Sequence, residues 1–135
     1  MSDNPASPIS RDDVLRNRDL TPETVMDWGK LVWLIGEKQT PGAEQTFGVV
    51  TIEAGQRNPL HRHPNCEELL YVLSGEADHK LGEAVFHITA GDVIRIPRGM
   101  PHWAQATGTE PLVAVISFSA ADRQTENLEG DASLA

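Results

Sequence analysis

Between Leu31 and Phe118 the apolar residues fall into short runs, LVWLI, TFGVVTI, LLYVL, AVFHI, VIRI and LVAVISF, none longer than seven residues. All are rich in β-branched or aromatic side chains, the types that fit a pleated, half-buried surface. Glycines at 36, 42, 48, 55, 75, 82, 91, 99 and 108 punctuate them every 6 to 20 residues. This rhythm specifies an antiparallel all-β sandwich or barrel rather than strands alternating with helices. Leu81-Gly82-Glu83-Ala84 reads as a tight hairpin, with glycine at the first central position of a type II′ turn. Several runs, such as Glu68-Leu-Leu-Tyr-Val-Leu73, are apolar on both parities. One face then fills the barrel, and the other packs on a second sheet, the N-terminal segment or another subunit.

The ends differ from the middle. Residues 1–9 are polar and proline-rich and read as disordered, within an N-terminal extension spanning 1–20. A short helix is expected from Ser10, which can cap SRDDVLRNR with Asp12 and Asp13 in the first turn. A second helical turn is expected at Thr21-Pro22, with proline at its first position. The barrel is assigned to 21–120, and the polar, acidic segment 121–135 reads as a disordered tail. The 135 residues suffice for one domain with its own core. Their net charge of −9 has the wrong sign for nucleic acid. No stretch approaches the ~20 apolar residues of a membrane span, and MSDNPASPIS lacks an export signal. The single cysteine, Cys66, excludes an internal disulfide and suits a reducing cytoplasm.

The chemistry concentrates in Gly55-Gln-Arg-Asn-Pro-Leu-His61-Arg-His63-Pro-Asn-Cys-Glu67-Glu68. His61 and His63 are two apart, so an extended strand points both imidazoles to one side. His102 follows a second glycine- and proline-marked stretch, Gly91 to Pro101. Three neutral imidazoles and one carboxylate converging inside a barrel suit a divalent first-row transition metal, and two octahedral positions stay open. A His-x-His pair alone is an ordinary strand feature, and an isolated Glu-Glu pair is ordinary solvated surface. It is the coincidence of all the spacings that carries the reading. His79 and His87 lack such context and read as surface or packing residues. Cys66 lacks a catalytic setting and reads as a buried or half-exposed thiol.

These spacings resemble the cupin superfamily. Its first motif, G-x5-H-x-H-x(3,4)-E-x6-G, is met by Gly55, His61, His63, Glu68 and Gly75. Glu68 fits better than Glu67, because only Glu68 leaves six residues before Gly75. The second, G-x5-P-x-G-x2-H-x3-N, is met by Gly91, Pro97, Gly99 and His102, with Ala106 in place of the terminal Asn. The resemblance covers about residues 31–119. It implies a jelly-roll β-barrel, commonly dimeric, with His61, His63, Glu68 and His102 as ligands to one divalent ion: Mn, Fe, Ni or Zn. The missing Asn leaves the ligand set intact but can alter the pocket wall. Gly75 and Gly91 have a physical reason as well, since both open turns that need positive φ.

Cupins host many chemistries, so fold does not settle function. One reading is a metal-dependent enzyme (dioxygenase, isomerase or lyase) acting on a small anionic, oxygen-rich metabolite held at the open metal positions. Arg57, Tyr71, Arg98 and Trp103 are candidate substrate-binding residues near the mouth. The other reading is a non-catalytic module or sensor that binds a small acid or sugar. A homodimer is expected on outward-facing apolar strand residues and on Trp28–Ile35, where WGKLVWLIG holds more apolar bulk than one barrel face needs.

Overall fold

The computed structural model describes residues 9–130. Its strands are β1 (Thr24–Met26), β2 (Gly29–Ile35), β3 (Thr46–Ile52), β4 (His61–Arg62), β5 (Glu68–Ser74), β6 (Glu76–Leu81), β7 (Ala84–Thr89), β8 (Val93–Ile96), β9 (His102–Ala106), β10 (Leu112–Phe118) and β11 (Glu126–Asn127). They form a six-stranded sheet in the order β1-β2-β3-β10-β5-β8 and a five-stranded sheet in the order β11-β4-β9-β6-β7. Every pairing is antiparallel. The short runs therefore form the antiparallel sheets they specify, arranged as the jelly-roll that the cupin resemblance implies.

Period-two burial aims one face of each strand into the space between the sheets. In β10 the inward set is Leu112, Ala114, Ile116 and Phe118, and in β5 it is Glu68, Leu70 and Val72. With Ile52, Ile96 and Ala104 these make one apolar core. Gly75 is where the chain leaves the first sheet for the second. Its φ is 80°, and a Cβ there would lie 2.2 Å from the Pro111 carbonyl oxygen, so only glycine fits. Gly82 turns the β6–β7 hairpin with φ 61° at its first central position, as expected.

The N-terminal segment departs from its reading. The helix from Ser10 is a single turn, α1 (Arg11–Val14), without a side-chain capping bond from Ser10 and with no buried residue to extend it. The second helical turn comes earlier, as a 3-10 turn at Arg18–Leu20, where Asn17 Oδ1 accepts from the Asp19 N–H at 2.8 Å. Thr21 precedes a proline and is extended, so the chain enters β1 instead of a helix. This segment lies along the outer face of β2 and β3 beside Val32 and Val49.

Two further expectations need correction. Trp28, Leu31 and Val32 are buried within the chain's own fold and Trp33, Leu34 and Ile35 are half-buried, so most of the apolar bulk of Trp28–Ile35 is covered without a partner. Nor are residues 121–130 a disordered tail: β11 pairs with β4, and the Leu128 N–H donates to the Leu60 carbonyl. The disorder expected at 1–8 and 131–135 lies outside the described residues. Among those described, no helix is long and apolar enough to cross a membrane.

Candidate metal centre

His61 and His102 face each other across the β4–β9 pairing. His63 follows one step beyond β4, and Glu68 opens β5 on the opposite sheet. All four side chains are buried. One ring nitrogen from each of the three histidines lies within 4.8 Å of the other two. Glu68 Oε1 lies 3.3 Å from His63 Nε2 and 3.2 Å from His102 Nε2.

The far nitrogens decide which electron pairs are available. His61 Nδ1 is 2.6 Å from the Pro59 carbonyl, His63 Nδ1 is 2.9 Å from that of Gln124, and His102 Nδ1 is 2.9 Å from that of Met100. A carbonyl only accepts, so each Nδ1 must carry the proton. Each Nε2 then presents a lone pair inward. His63 Nε2, His102 Nε2 and Glu68 Oε1 are buried without a hydrogen-bond partner. Lone pairs and a carboxylate oxygen thus converge at about 3 Å with no proton to bridge them, an arrangement that a cation among them would relieve. The donor set, three imidazole nitrogens and one carboxylate, suits Mn, Fe, Ni and Zn alike.

At His61 the electrostatics agree with this protonation pattern. Burial, then the neighbouring His102 ring, pulls His61 from 6.5 to about 3, so it is neutral and able to ligate. Burial alone would push the Glu68 carboxyl up. Hydrogen bonds from the His102 and His63 rings, which require a proton on Nε2, outweigh that and hold it below the ordinary carboxylate range when no cation stands in the proton's place. The ligand sphere supplies one negative charge.

The four donors line a cavity of about 50 Å³, walled by Leu31, Val50, Leu70, Ile116 and other apolar side chains. That space takes roughly four water-sized groups. Its remaining polar wall comes from Asn58, His79, Arg123 and Thr125. Asn58 Oδ1 accepts from the Ala104 N–H at 2.8 Å. His79 is buried and stacks on His102, with ring centroids 5.8 Å apart and 7° between planes. Burial, then His102, lowers it to about 4.

The four residues expected at the mouth do not line this cavity. Tyr71 and Arg98 are exposed. Arg57 pairs with Glu129 at 3.0 Å and lies over the Trp103 ring, 5.1 Å from its centroid, so those two pack together beside the tail. Cys66 is buried, and burial pushes its thiol up, away from nucleophilic use. Glu67 is half-exposed and pairs with Arg95, leaving Glu68 to face the rings. Ala106 is fully buried, its backbone bonded to Gly55 and Gln56, and it does not reach the cavity wall. His87 is a surface residue between Asp78 and Glu76, as expected.

The sequence reading missed two cavity residues. His79 shares the inward parity of Ala77 on β6, which would have placed it inside. Arg123 had no signal, because it stands in a polar segment that reads as loose chain.

Residues 48–118 match the profile of the cupin domain family, Cupin_2. The chain belongs to the cupin family. Over 75 residues it is 41% identical to oxalate decarboxylase OxdC of Bacillus subtilis, which covers 52% of this chain and 20% of that protein. Germin-like protein 5-1 of Oryza sativa is 30% identical over 112 residues, covering 75% of this cupin and 49% of the germin-like protein. This cupin thus spans from a fifth to about half the length of those relatives. Among solved structures, a Bacillus subtilis oxalate decarboxylase studied for its Mn(II) centres superposes with a TM-score of 0.75. Identity there is 25%, covering 90% of this chain and 37% of the decarboxylase.

Proposed function

We propose that this cupin is a metal-dependent enzyme for a small carboxylate, with His61, His63, Glu68 and His102 holding one divalent transition metal. The observation that carries the reading is the convergence of buried, unpartnered Nε2 and Oε1 atoms whose protons are all committed to the far side of the rings. The metal supplies Lewis acidity and a fixed point for an oxygen donor. The chain supplies the rest. Apolar walls exclude water and sharpen electrostatics. A space of about 50 Å³ beside the donors favours a ligand of a few heavy atoms. Glu68 offsets only one of the two metal charges, so the open positions favour an anion. His79 is neutral at ordinary pH and offers a ring edge to the ligand without adding charge. The names of the oxalate decarboxylase relatives favour a carboxylate of that size, and the manganese of the Bacillus enzyme makes Mn(II) the first metal to supply.

The test is elemental analysis after anaerobic purification, followed by assays of oxalate and other two- to four-carbon acids for consumption, carbon dioxide release and oxygen uptake. His63→Ala should lose most bound metal and His79→Ala should keep it. Equal metal in the two variants would sink the ligand assignment. Chelator-sensitive binding without turnover would move the protein to the alternative reading, a small-acid-binding module.

A further inference from the structure

We infer that the cavity takes a small acid bearing a hydroxyl, and that His79 Nδ1 accepts a hydrogen bond from that hydroxyl while the carboxylate lies on the metal. This rests on the metal reading above and specifies the ligand class.

Four buried polar atoms on the cavity wall make no hydrogen bond among the described residues: His63 Nε2, Glu68 Oε1, His102 Nε2 and His79 Nδ1. The first three belong to the metal donors. The fourth does not, because the ring nitrogens that cluster within 4.8 Å of one another come from His61, His63 and His102, without His79. Asn58 and Thr125, on the same wall, have protein partners: Asn58 Oδ1 accepts from the Ala104 N–H at 2.8 Å, and Thr125 Oγ1 accepts from Arg123 Nη1 at 2.6 Å. A buried polar atom without a partner is costly, and a leucine would suit a wall of Leu31, Val50, Leu70 and Ile116 better. A bound ligand that engages Nδ1 removes the cost.

Strand pairing sets where the ring stands. His79 shares the inward parity of Ala77 on β6 and lies opposite Ala104 in the pairing with β9. Ala104 is two residues from His102 on the same face, so the two rings meet diagonally across the strands. They are parallel to within 7°, with centroids 5.8 Å apart. His79 is therefore one ring removed from the metal donors, a separation that a two- or three-carbon acid bridges.

The tautomer then selects the ligand group. A neutral imidazole carries a single proton. The Lys80 main chain hydrogen-bonds the ring, and because a carbonyl only accepts, it takes that proton. Nδ1, which has no partner, keeps its lone pair. A lone pair repels a carboxylate or keto oxygen and calls for a donor. A hydroxyl is a donor that a small acid carries at neutral pH, whereas a dicarboxylate such as oxalate is ionised at both ends and has none. Charge at the donor set points the same way: a divalent ion and the Glu68 carboxylate sum to about one positive charge, which one carboxylate neutralises.

The experiment is calorimetric titration of manganese-loaded protein with glycolate and with acetate, which lacks only the hydroxyl. Wild type, His79→Leu, His79→Gln and Ile116→Val are compared, with metal content and circular dichroism measured in each. Wild type should prefer glycolate. His79→Leu should cut that preference about 3- to 10-fold at unchanged metal content, as the loss of one hydrogen bond predicts. His79→Gln offers an amide oxygen as acceptor and should restore part of it. Ile116→Val opens the same wall without removing a polar atom, so it should shift both acids together. Equal affinity for the two acids in wild type, a preference that survives His79→Leu, or one that falls as far in Ile116→Val overturns the hydroxy-acid reading while the metal reading stands. Loss of metal from both His79 variants also overturns it, since the ring would then be a prop for His102. Binding by wild type that is absent, or indifferent to chelator, overturns both.

Discussion

His61 and His79 are buried rings whose neutrality is imposed by the fold, and this gives the metal-stripped protein a defined response to acid. Burial and His102 lower His61 to about 3 and His79 to about 4, against 6.5 in an unfolded chain. Below 6.5 the unfolded state takes up protons that the folded state refuses. Stability is therefore full above that value and falls as pH drops towards 4, by up to about 1.4 kcal/mol per pH unit for each ring. Glu68 adds loss of the same sign at lower pH, because its carboxyl is also held below its ordinary value. His87 runs the other way: Asp78 and then Glu76 raise it, so its contribution is present below its unfolded value and fades as pH rises. It is exposed, and solvent screening keeps that contribution small. Urea denaturation of chelator-treated protein at pH 7.5 and 5 should show a loss of a few kcal/mol. His79→Gln should remove roughly half of the slope, and a flat profile would mean that these rings are not held neutral.

At the scale of elements, the segment from Ala121 to Gly130 acts as a strap across the turn that carries His61 and His63. Its contacts are largely backbone-mediated: the Gln124 carbonyl to His63, Leu128 N–H to Leu60, and the β11–β4 pairing. Ending the chain after Arg123 removes all three. His63 then loses the acceptor that fixes its tautomer, and metal affinity should fall about 10- to 100-fold while the barrel stays folded. Competition against a chromophoric chelator measures this, with circular dichroism as the check on the fold. Unchanged affinity would show that the strap is ornamental. The same contacts explain what the sequence concealed. The convergence of His61, His63, Glu68 and His102 was legible because their spacings match the cupin motifs and strand geometry sets the direction of the His61 and His63 pair, and Gly75 because its turn admits nothing else. A strap held by main-chain groups leaves no trace in composition, so Thr-Glu-Asn read as loose polar chain and Arg123 went with it. The helical turn at Thr21-Pro22 failed because a proline start signal competes with the extended bias on the residue before it.

For the whole molecule, the outer face of the six-stranded sheet is divided in two. The N-terminal segment lies along β2 and β3, where Val32 is buried. Across β5 and β8 nothing among the described residues covers the sheet. Tyr71 stands opposite Val93 on one side and Val115 on the other, with Leu69 and Leu73 flanking it on the same face. Leu69, Tyr71, Leu73 and Val93 are 43%, 45%, 47% and 60% exposed. Their apolar side chains form one continuous row across neighbouring strands, and such a patch seldom stays bare on a lone domain. We propose a second copy of this face as its cover, because a two-fold interface needs only self-complementarity, which a flat apolar sheet face supplies. Sedimentation at micromolar concentration should then give about twice the 14.8 kDa of one chain. Leu69→Lys with Leu73→Lys should return it to 14.8 kDa with metal content unaltered, since both side chains point away from the cavity. Those positions lie on β5, inside the sheet, so the substitutions leave the backbone edge of β8 intact. A dimer that survives them would have to be joined along that edge instead. A wild-type protein found only at 14.8 kDa would leave the face uncovered and refute the dimer.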